Sequence, residues 1–175
     1  EAMENHLNAP LSKKRRSRAR PKDHEAYRLF LQGDYLLRNN ASDLPAAIDH
    51  FREALERDPD FAGAQAGLAR AKGFSLSYVK PTRERLAELE TEARRALALD
   101  PQSEAGHGAL GTFYAMTGKL CDAEGHMRMA YEIGRDPMVA NALSVIIFGN
   151  VGHLRRAIQV SEEAYQSFPL APFLL

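Results

Sequence analysis

Cysteine is almost missing. Cys121 is the only one, so neither an intrachain disulfide nor a multi-cysteine zinc site can form, and a reducing compartment is expected. No run approaches the ~18 apolar residues of a membrane helix, so no membrane span is expected. The opening EAMENHLNAP lacks the apolar stretch of a secretory leader. Together these give a cytoplasmic expectation. An excess of either charge is lacking as well: Lys+Arg is 23 and Asp+Glu is 23, which argues against a dedicated nucleic-acid binder. Strand patterns are scarce, and the best, Val145-Ile146-Ile147-Phe148, continues a helical pattern that begins at Met138. There is no P-loop and no G-x-S-x-G. The six histidines show no H-x-x-x-H or H-E-x-x-H spacing. These absences lead to an expectation of no catalytic residue, no cofactor and no metal ligand.

What is there is unevenly distributed. The 175 residues suffice for one domain, or two small ones, and such a chain buries roughly 70% of its unfolded surface without a metal or disulfide. Residues 11–22, LSKKRRSRARPK, hold seven basic residues and no acid, which leaves 16 basic and 23 acidic residues elsewhere. A basic arm over 1–22 therefore precedes an acidic body. Having no apolar periodicity, the arm reads as a flexible linker or tail.

The body repeats. Gly118 and Gly152 are 34 apart, as are Ala123/Ala157 and Ala130/Ala164; upstream, Ala54/Ala96 and Pro59/Pro101 are 42 apart. Alanines seven apart recur in Ala47/Ala54, Ala123/Ala130 and Ala157/Ala164. Seven residues are two helical turns, so each pair shares a face that a neighbouring helix can approach closely. Each unit reads as two helices: Asp23–Arg38 with Asp43–Arg57, Phe61–Phe74 with Arg83–Leu99, Glu104–Met116 with Leu120–Ile133, and Met138–Asn150 with His153–Ser167. Asn40 or Ser42 is the expected cap before Asp43. Pro81 is expected near the first turn of the fourth helix.

A 34-residue helix–turn–helix unit resembles the tetratricopeptide repeat (TPR). The third unit carries the family's marks best, at Leu110-Gly111, Tyr114, Gly118, Ala123 and Ala130, and departs at Met127 and Arg135. The first, with Gly33, Ala47, Phe51, Ala54 and Pro59, has two extra residues in its turn. In the second, which has eight extra, Leu89 and Ala93 replace an alanine and an aromatic. The fourth has Gly152, Ala157, Ala164 and Pro169. The resemblance implies an all-α, TPR-like right-handed superhelix of about four repeats over 23–169, with 170–175 starting a further, truncated repeat. The segment 26–69 looks like the first repeats of bacterial winged-helix transcriptional regulators and of class III adenylate cyclases that carry TPR arrays. On that likeness the chain is expected to be part of a longer bacterial signalling or transcription-regulating protein.

Other candidates read as packing or surface. Gly106-His107-Gly108-Ala109-Leu110-Gly111 matches G-x-G-x-x-G but lacks the preceding strand, so its glycines are expected to permit close helix packing. The histidines are expected to be exposed or packed, without a functional partner. Cys121, at a helix start, has no evident base. Glu88 and Glu92 beside Arg94 and Arg95 read as a solvated face.

In TPR arrays the first helix of each unit lines a concave groove. The resemblance puts Tyr27, Phe30, Arg70, Phe74, Thr112, Met116, Val139, Ile146 and Asn150 there, with small residues Ala66, Gly108 and Ala142 between them. The expected function is a protein-interaction scaffold that binds a peptide or helix in this groove, with Arg70 as the charge orienting it, and without enzymatic activity. Three other readings stand beside it: a ligand-sensing regulatory domain, nucleic-acid contact confined to the basic arm, and an enzyme using Cys121 or His107. Self-association through the apolar end LAPFLL is a further expectation.

Overall fold

The computed structural model describes residues 21–39, 43–136, 139, 142, 143, 158, 159 and 162. Six helices are complete among them: α1 (His24–Asn39), α2 (Leu44–Arg57), α3 (Ala62–Ser75), α4 (Arg83–Leu99), α5 (Glu104–Met116) and α6 (Leu120–Gly134). No strand occurs among the described residues. Helices expected from the sequence lie within one residue of these bounds at each end. Asn40 and Ser42, and most of the fourth unit, lie outside the described residues.

Local chemistry sets the helix ends. Asp23 Oδ1 accepts from the backbone N–H groups of Glu25 and Ala26, at 2.6 and 3.0 Å. Thr82 and Ser103 cap α4 and α5 through Arg85 and Gly106. Pro81 thus stands one residue before the cap of α4. The turns leaving α2 and α4 are the same turn, 42 residues apart. Asp58 N–H donates to Ala54 and Asp100 N–H to Ala96; Phe61 and Ser103 then close on the carbonyls of Asp58 and Asp100. Between α5 and α6, Gly118 has φ +78°. Its N–H donates to Ala115, and that of Lys119 to Tyr114, the paired closure of a Schellman motif that requires a left-handed residue.

Each helix packs on the next, and α3 also packs against both α1 and α5. The first helices of the pairs therefore share one face, and α2, α4 and α6 stand behind them. The alanines of the repeat pattern are the points of closest approach: Ala47, Ala54, Ala93, Ala96, Ala123 and Ala130 are all fully buried. Large side chains enter glycine notches between them. The Phe51 ring lies between α1 and α3, where a Cβ on Gly33 or Gly67 would come within 2.9 or 2.5 Å of it. Met127 fills the corresponding notch at Gly111, with Cγ 2.7 Å from a Cβ placed there.

The second unit is fastened differently. Lys72 of α3, largely buried, pairs with Glu88 and Glu92 of α4 at 3.1 and 3.2 Å. Gln65 Nε2 donates to the Glu92 carbonyl and carboxylate. The expectation of a solvated face at Glu88 and Glu92 is therefore corrected. Glu88 is exposed, but the Glu92 side chain keeps only 21% of its surface and joins two helices. Its partners are 20 and 27 residues away in sequence, beyond the reach of helical spacing.

Lys22, the last residue counted in the arm, is held to the body. Its N–H donates to the buried Asp58 carboxylate at 2.7 Å, and its ammonium lies 3.1 Å from Asp60.

The glycines divide into two kinds, and this is testable. Among the described residues a Cβ on Gly108 would meet nothing within 4 Å, so Gly108→Ala should stabilise the chain by about 0.5–1 kcal/mol through helix propensity. Gly67→Ala drives a methyl into Phe51 and should destabilise by about 1–3 kcal/mol. Urea denaturation of both variants checks the opposite signs.

Candidate functional site

The face formed by the first helices holds a pocket of about 80 Å³. Arg70, Gly73 and Phe74 of α3 line one side, and Glu104, Ala105, Gly108, Ala109 and Thr112 of α5 the other. Met127 of α6 lies at its base, and Asp136, Val139 and Ala142 complete it. Of the candidate groove residues, the structure brings Arg70, Phe74, Thr112 and Val139 to this one pocket. Thr112 donates its hydroxyl to the Gly108 carbonyl and so presents its methyl-bearing side without an unsatisfied donor.

The remaining candidates stand apart from it. Phe30 is half-buried among aromatic rings, 5.1 Å from Phe61 and 6.1 Å from Phe51, where it serves the core between α1, α2 and α3. Tyr27 stacks on Phe30 at 6.1 Å and is 44% exposed. Met116, at the end of α5, is 40% exposed and is not part of the pocket wall. Ile146 and Asn150 lie outside the described residues.

Arg70 is not an idle charge. Its Nη2 donates to Asp34 Oδ1 at 3.0 Å, while Arg38 Nε donates to the other Asp34 oxygen at 2.8 Å. Asp34 thus ties α3 to α1 and engages both arginines. Arg70 Nε is buried without a hydrogen-bond partner among the described residues.

The sequence reading missed Glu104. It lies four residues before Gly108 and eight before Thr112, on the same helical face, and that spacing is the signal that marks it. Its place depends on Gly134, the last residue of α6. A Cβ there would sit 2.6 Å from Glu104 Cγ and 2.7 Å from Cδ. Among the described residues no cation is within ion-pairing distance of Glu104. Burial pushes its carboxyl above the ordinary value, the charge of Asp136 adds to the push, and Arg70 and Arg38 oppose it.

The three glycines of the G-x-G-x-x-G match lie inside α5 and not in a loop. Gly106 abuts Leu97 and Gly111 abuts Met127, as close packing requires, but Gly108 opens onto the pocket. The expectation that all three serve packing is corrected at Gly108.

His107 and His126 are packed, within the expectation for the histidines, and they meet each other. Their Nδ1 atoms are 3.0 Å apart, and His107 Nε2 lies 3.2 Å from the Pro101 carbonyl. A carbonyl only accepts, so His107 carries its proton on Nε2, and its Nδ1 accepts from the Nδ1–H of His126. Tyr114 stacks on the His126 ring at 5.5 Å, and Arg94 donates to the Tyr114 hydroxyl. Nineteen residues separate the pair on different helices, which hides it from any spacing rule. Among the described residues no group of three or more His, Cys, Asp or Glu is placed to hold a metal ion. Cys121 is exposed.

Two pH dependences follow, with opposite signs. Burial, then the charges of His107 and Arg94, lower the His126 pKa against the opposing Asp122. Its contribution to stability is present above the unfolded value near pH 6.5 and is lost as the pH falls through the folded value. His126→Gln should flatten the decline of the melting temperature below about pH 6.5. Glu104 is raised above 4.5, so its contribution is complete below that pH and is lost as the pH rises through its folded value. Glu104→Gln should therefore melt higher than the parent chain at about pH 7, and the two should converge near pH 4.

No protein-family model and no curated protein matches the sequence. Solved structures do. The fold is similar to TTC0263, a thermophilic TPR protein in Thermus thermophilus, at a TM-score of 0.69 and 19% identity, over 86% of this chain and 78% of that one. It is also similar to MamA, at a TM-score of 0.53 and 16% identity, over 73% and 70%. Among the described residues no helix is long and apolar enough to cross a membrane. At these identities the likeness speaks to architecture: the chain has an all-α, TPR-like helical repeat fold.

Proposed function

We propose that this chain is a protein-interaction scaffold that takes a peptide or helical segment along the face of α1, α3 and α5, without catalysis of its own. The observation that carries this reading is Gly108. A glycine inside a helix costs about 0.8–1 kcal/mol relative to alanine. Gly106 and Gly111 offset that cost by admitting Leu97 and Met127, whereas Gly108 admits no side chain of the described residues. It opens a pocket walled mainly by Phe74, Ala105, Met127, Val139 and Ala142. Small residues at the centre of an apolar wall suit an inserted helix or extended segment.

The setting we propose is a cytoplasmic bacterial regulatory protein concerned with signalling or transcription, supported by the repeat style of residues 26–69. Self-association through 170–175 and a ligand-sensing role remain part of that proposal. The seven basic residues of 11–22 favour a second reading, nucleic-acid contact through the arm. Its signature is binding that weakens steeply with salt and vanishes when residues 1–20 are removed.

Gly108→Leu tests the main reading because it fills the pocket without touching the core. Peptides selected against the parent chain by display should lose about tenfold or more in affinity for this variant, the scale of one well-placed side chain. Cys121→Ser, away from the pocket, should leave binding intact. Selected peptides that bind Gly108→Leu as well as the parent chain would place the interaction elsewhere.

A further inference from the structure

We infer that α1 pairs with α1 of a second copy of this chain, antiparallel and about a two-fold axis at Leu31, through a ridge made by Tyr27, Leu31 and Tyr35. The inference rests neither on the groove pocket nor on residues 170–175. The three side chains are exposed, keeping 44%, 47% and 66% of their surface. They stand four residues apart and so form one continuous row along the helix. The other side of α1 carries the buried Ala26, Leu29 and Gly33, so the row looks away from the core. Tyr27 rests on the rings of Phe30 and Phe61, at 6.1 and 6.5 Å. That end of the row is therefore held in place before any partner arrives, which lowers the cost of binding.

The occupant follows from the symmetry of the row. It reads the same from both ends: tyrosine, leucine and tyrosine, in equal steps about Leu31. Rows at four-residue spacing are the ridges by which packed helices most commonly interdigitate, crossing near −50°. A two-fold axis at Leu31 sets that residue on its own counterpart, the self-matching contact of a closed dimer. At about 100° and 1.5 Å per residue, Arg28 of one copy then comes level with Tyr35 of the other on one flank, and Tyr27 with Asp34 on the opposite flank. The first contact puts a guanidinium against an aromatic ring, and the second a hydroxyl donor against a carboxylate. Arg28 and Arg38 are already paired within their own chain, with Glu25 and Asp34, so the ridge brings no uncompensated arginine to the contact. The antiparallel arrangement also sets the two helix dipoles in opposition.

Other covers match the row less well. The stretch leading into α1, residues 12–20, holds six basic residues and Ala19 as its one apolar residue, so it offers no apolar surface to lay on the ridge. Met129 and Ile133 of α6 are exposed and one turn apart, but a contact between them and α1 would be head-to-tail and would not close at two copies. At 150–250 Å² for a whole aromatic side chain, the three residues offer roughly 300 Å² per copy. Even with the flanking Arg28, Gln32 and Arg38, the interface falls at the low end of specific contacts. The dimer is accordingly weak and reversible, with a dissociation constant on the order of 10–100 µM.

Sedimentation equilibrium of the whole 175-residue chain up to about 500 µM, several times that constant, should show monomer and dimer and nothing larger. Leu31→Glu and Tyr35→Glu should each weaken the dimer by about tenfold or more, with circular dichroism and melting temperature unchanged because both positions are exposed. Phe173→Ser with Leu174→Ser should leave it intact. In a Cys121→Ser background, Leu31→Cys should cross-link into a dimer on mild oxidation. Tyr35→Cys should not, since the antiparallel pair separates the two copies of that position by about 12 Å along the helix. A monomer at every concentration, a dimer indifferent to Leu31→Glu, or cross-linking of Tyr35→Cys as ready as that of Leu31→Cys would overturn the inference. Loss of the dimer in the Phe173/Leu174 variant would assign it to the C-terminal end instead. Growth beyond two copies would point to the head-to-tail contact. A dimer that appears only after residues 1–20 are removed would show that the arm covers the ridge.

Discussion

The architecture depends on one steric device, a large side chain of a second helix seated in a gap where a first helix has no Cβ. Phe51 is fully buried because Gly33 and Gly67 leave its ring room on both sides. That single ring fixes the spacing of α1, α2 and α3 at once. Met127 does the same for α5 and α6 through Gly111, and its flexible thioether fits a notch that an aromatic occupies elsewhere. Truncating such a knob removes contacts on several helices, which is why losses of about 3–5 kcal/mol accompany Phe→Ala in well-packed cores.

The second repeat obeys the same constraint with the sizes exchanged. At the position of Phe51 and Met127 it has Ala93, and at the position of Gly111 it has Ala69. Both are fully buried. The hole closes as the knob shrinks, and Leu89, one turn earlier on α4, takes over the volume against α3. The Lys72–Glu92–Gln65 network ties the same two helices. Buried ion pairs of this kind offset their desolvation cost only when their geometry is good. Here the longer connection before α4 makes its alignment on α3 harder to fix by local geometry, and a directional polar tie supplies what the smaller knob does not.

Much of the fold was legible for a plain physical reason. Helix ends and turns are written locally, in Asp-Pro at 58–59 and 100–101, in Thr82 and Ser103, and in Gly118. The alanine spacing marks the buried faces because only small residues allow helices to approach so closely. The site was legible only in part. Arg70, Phe74, Thr112 and Val139 share a pocket because repeat phasing carries equivalent positions to equivalent places. Phe30 reads the same way by phase, yet the aromatic cluster around Phe51 and Phe61 draws it into the core. Pairings across helices were not legible. Asp34 with Arg70, Lys72 with Glu92 and His107 with His126 are separated by 19 residues or more, and no helical period connects them.

That failure has a consequence for chemistry and not only for contacts. A charge in a sequence has a sign but no account of what it is already bonded to. By repeat phasing Arg70 is the charge that would orient a segment in an otherwise small and apolar groove. The fold then places Asp34 of the preceding repeat beside it and engages it. It also brings Glu104 over a helix end, with no cation of the described residues in ion-pairing reach. The polarity of the surface is therefore set between repeats, by which charges are consumed in holding neighbours together and which are left over. In a solenoid each repeat packs against its neighbours, so the charge offered to a partner is the remainder after ties such as Asp34–Arg70 have been made. Reading it requires the pairs, and the pairs require the fold.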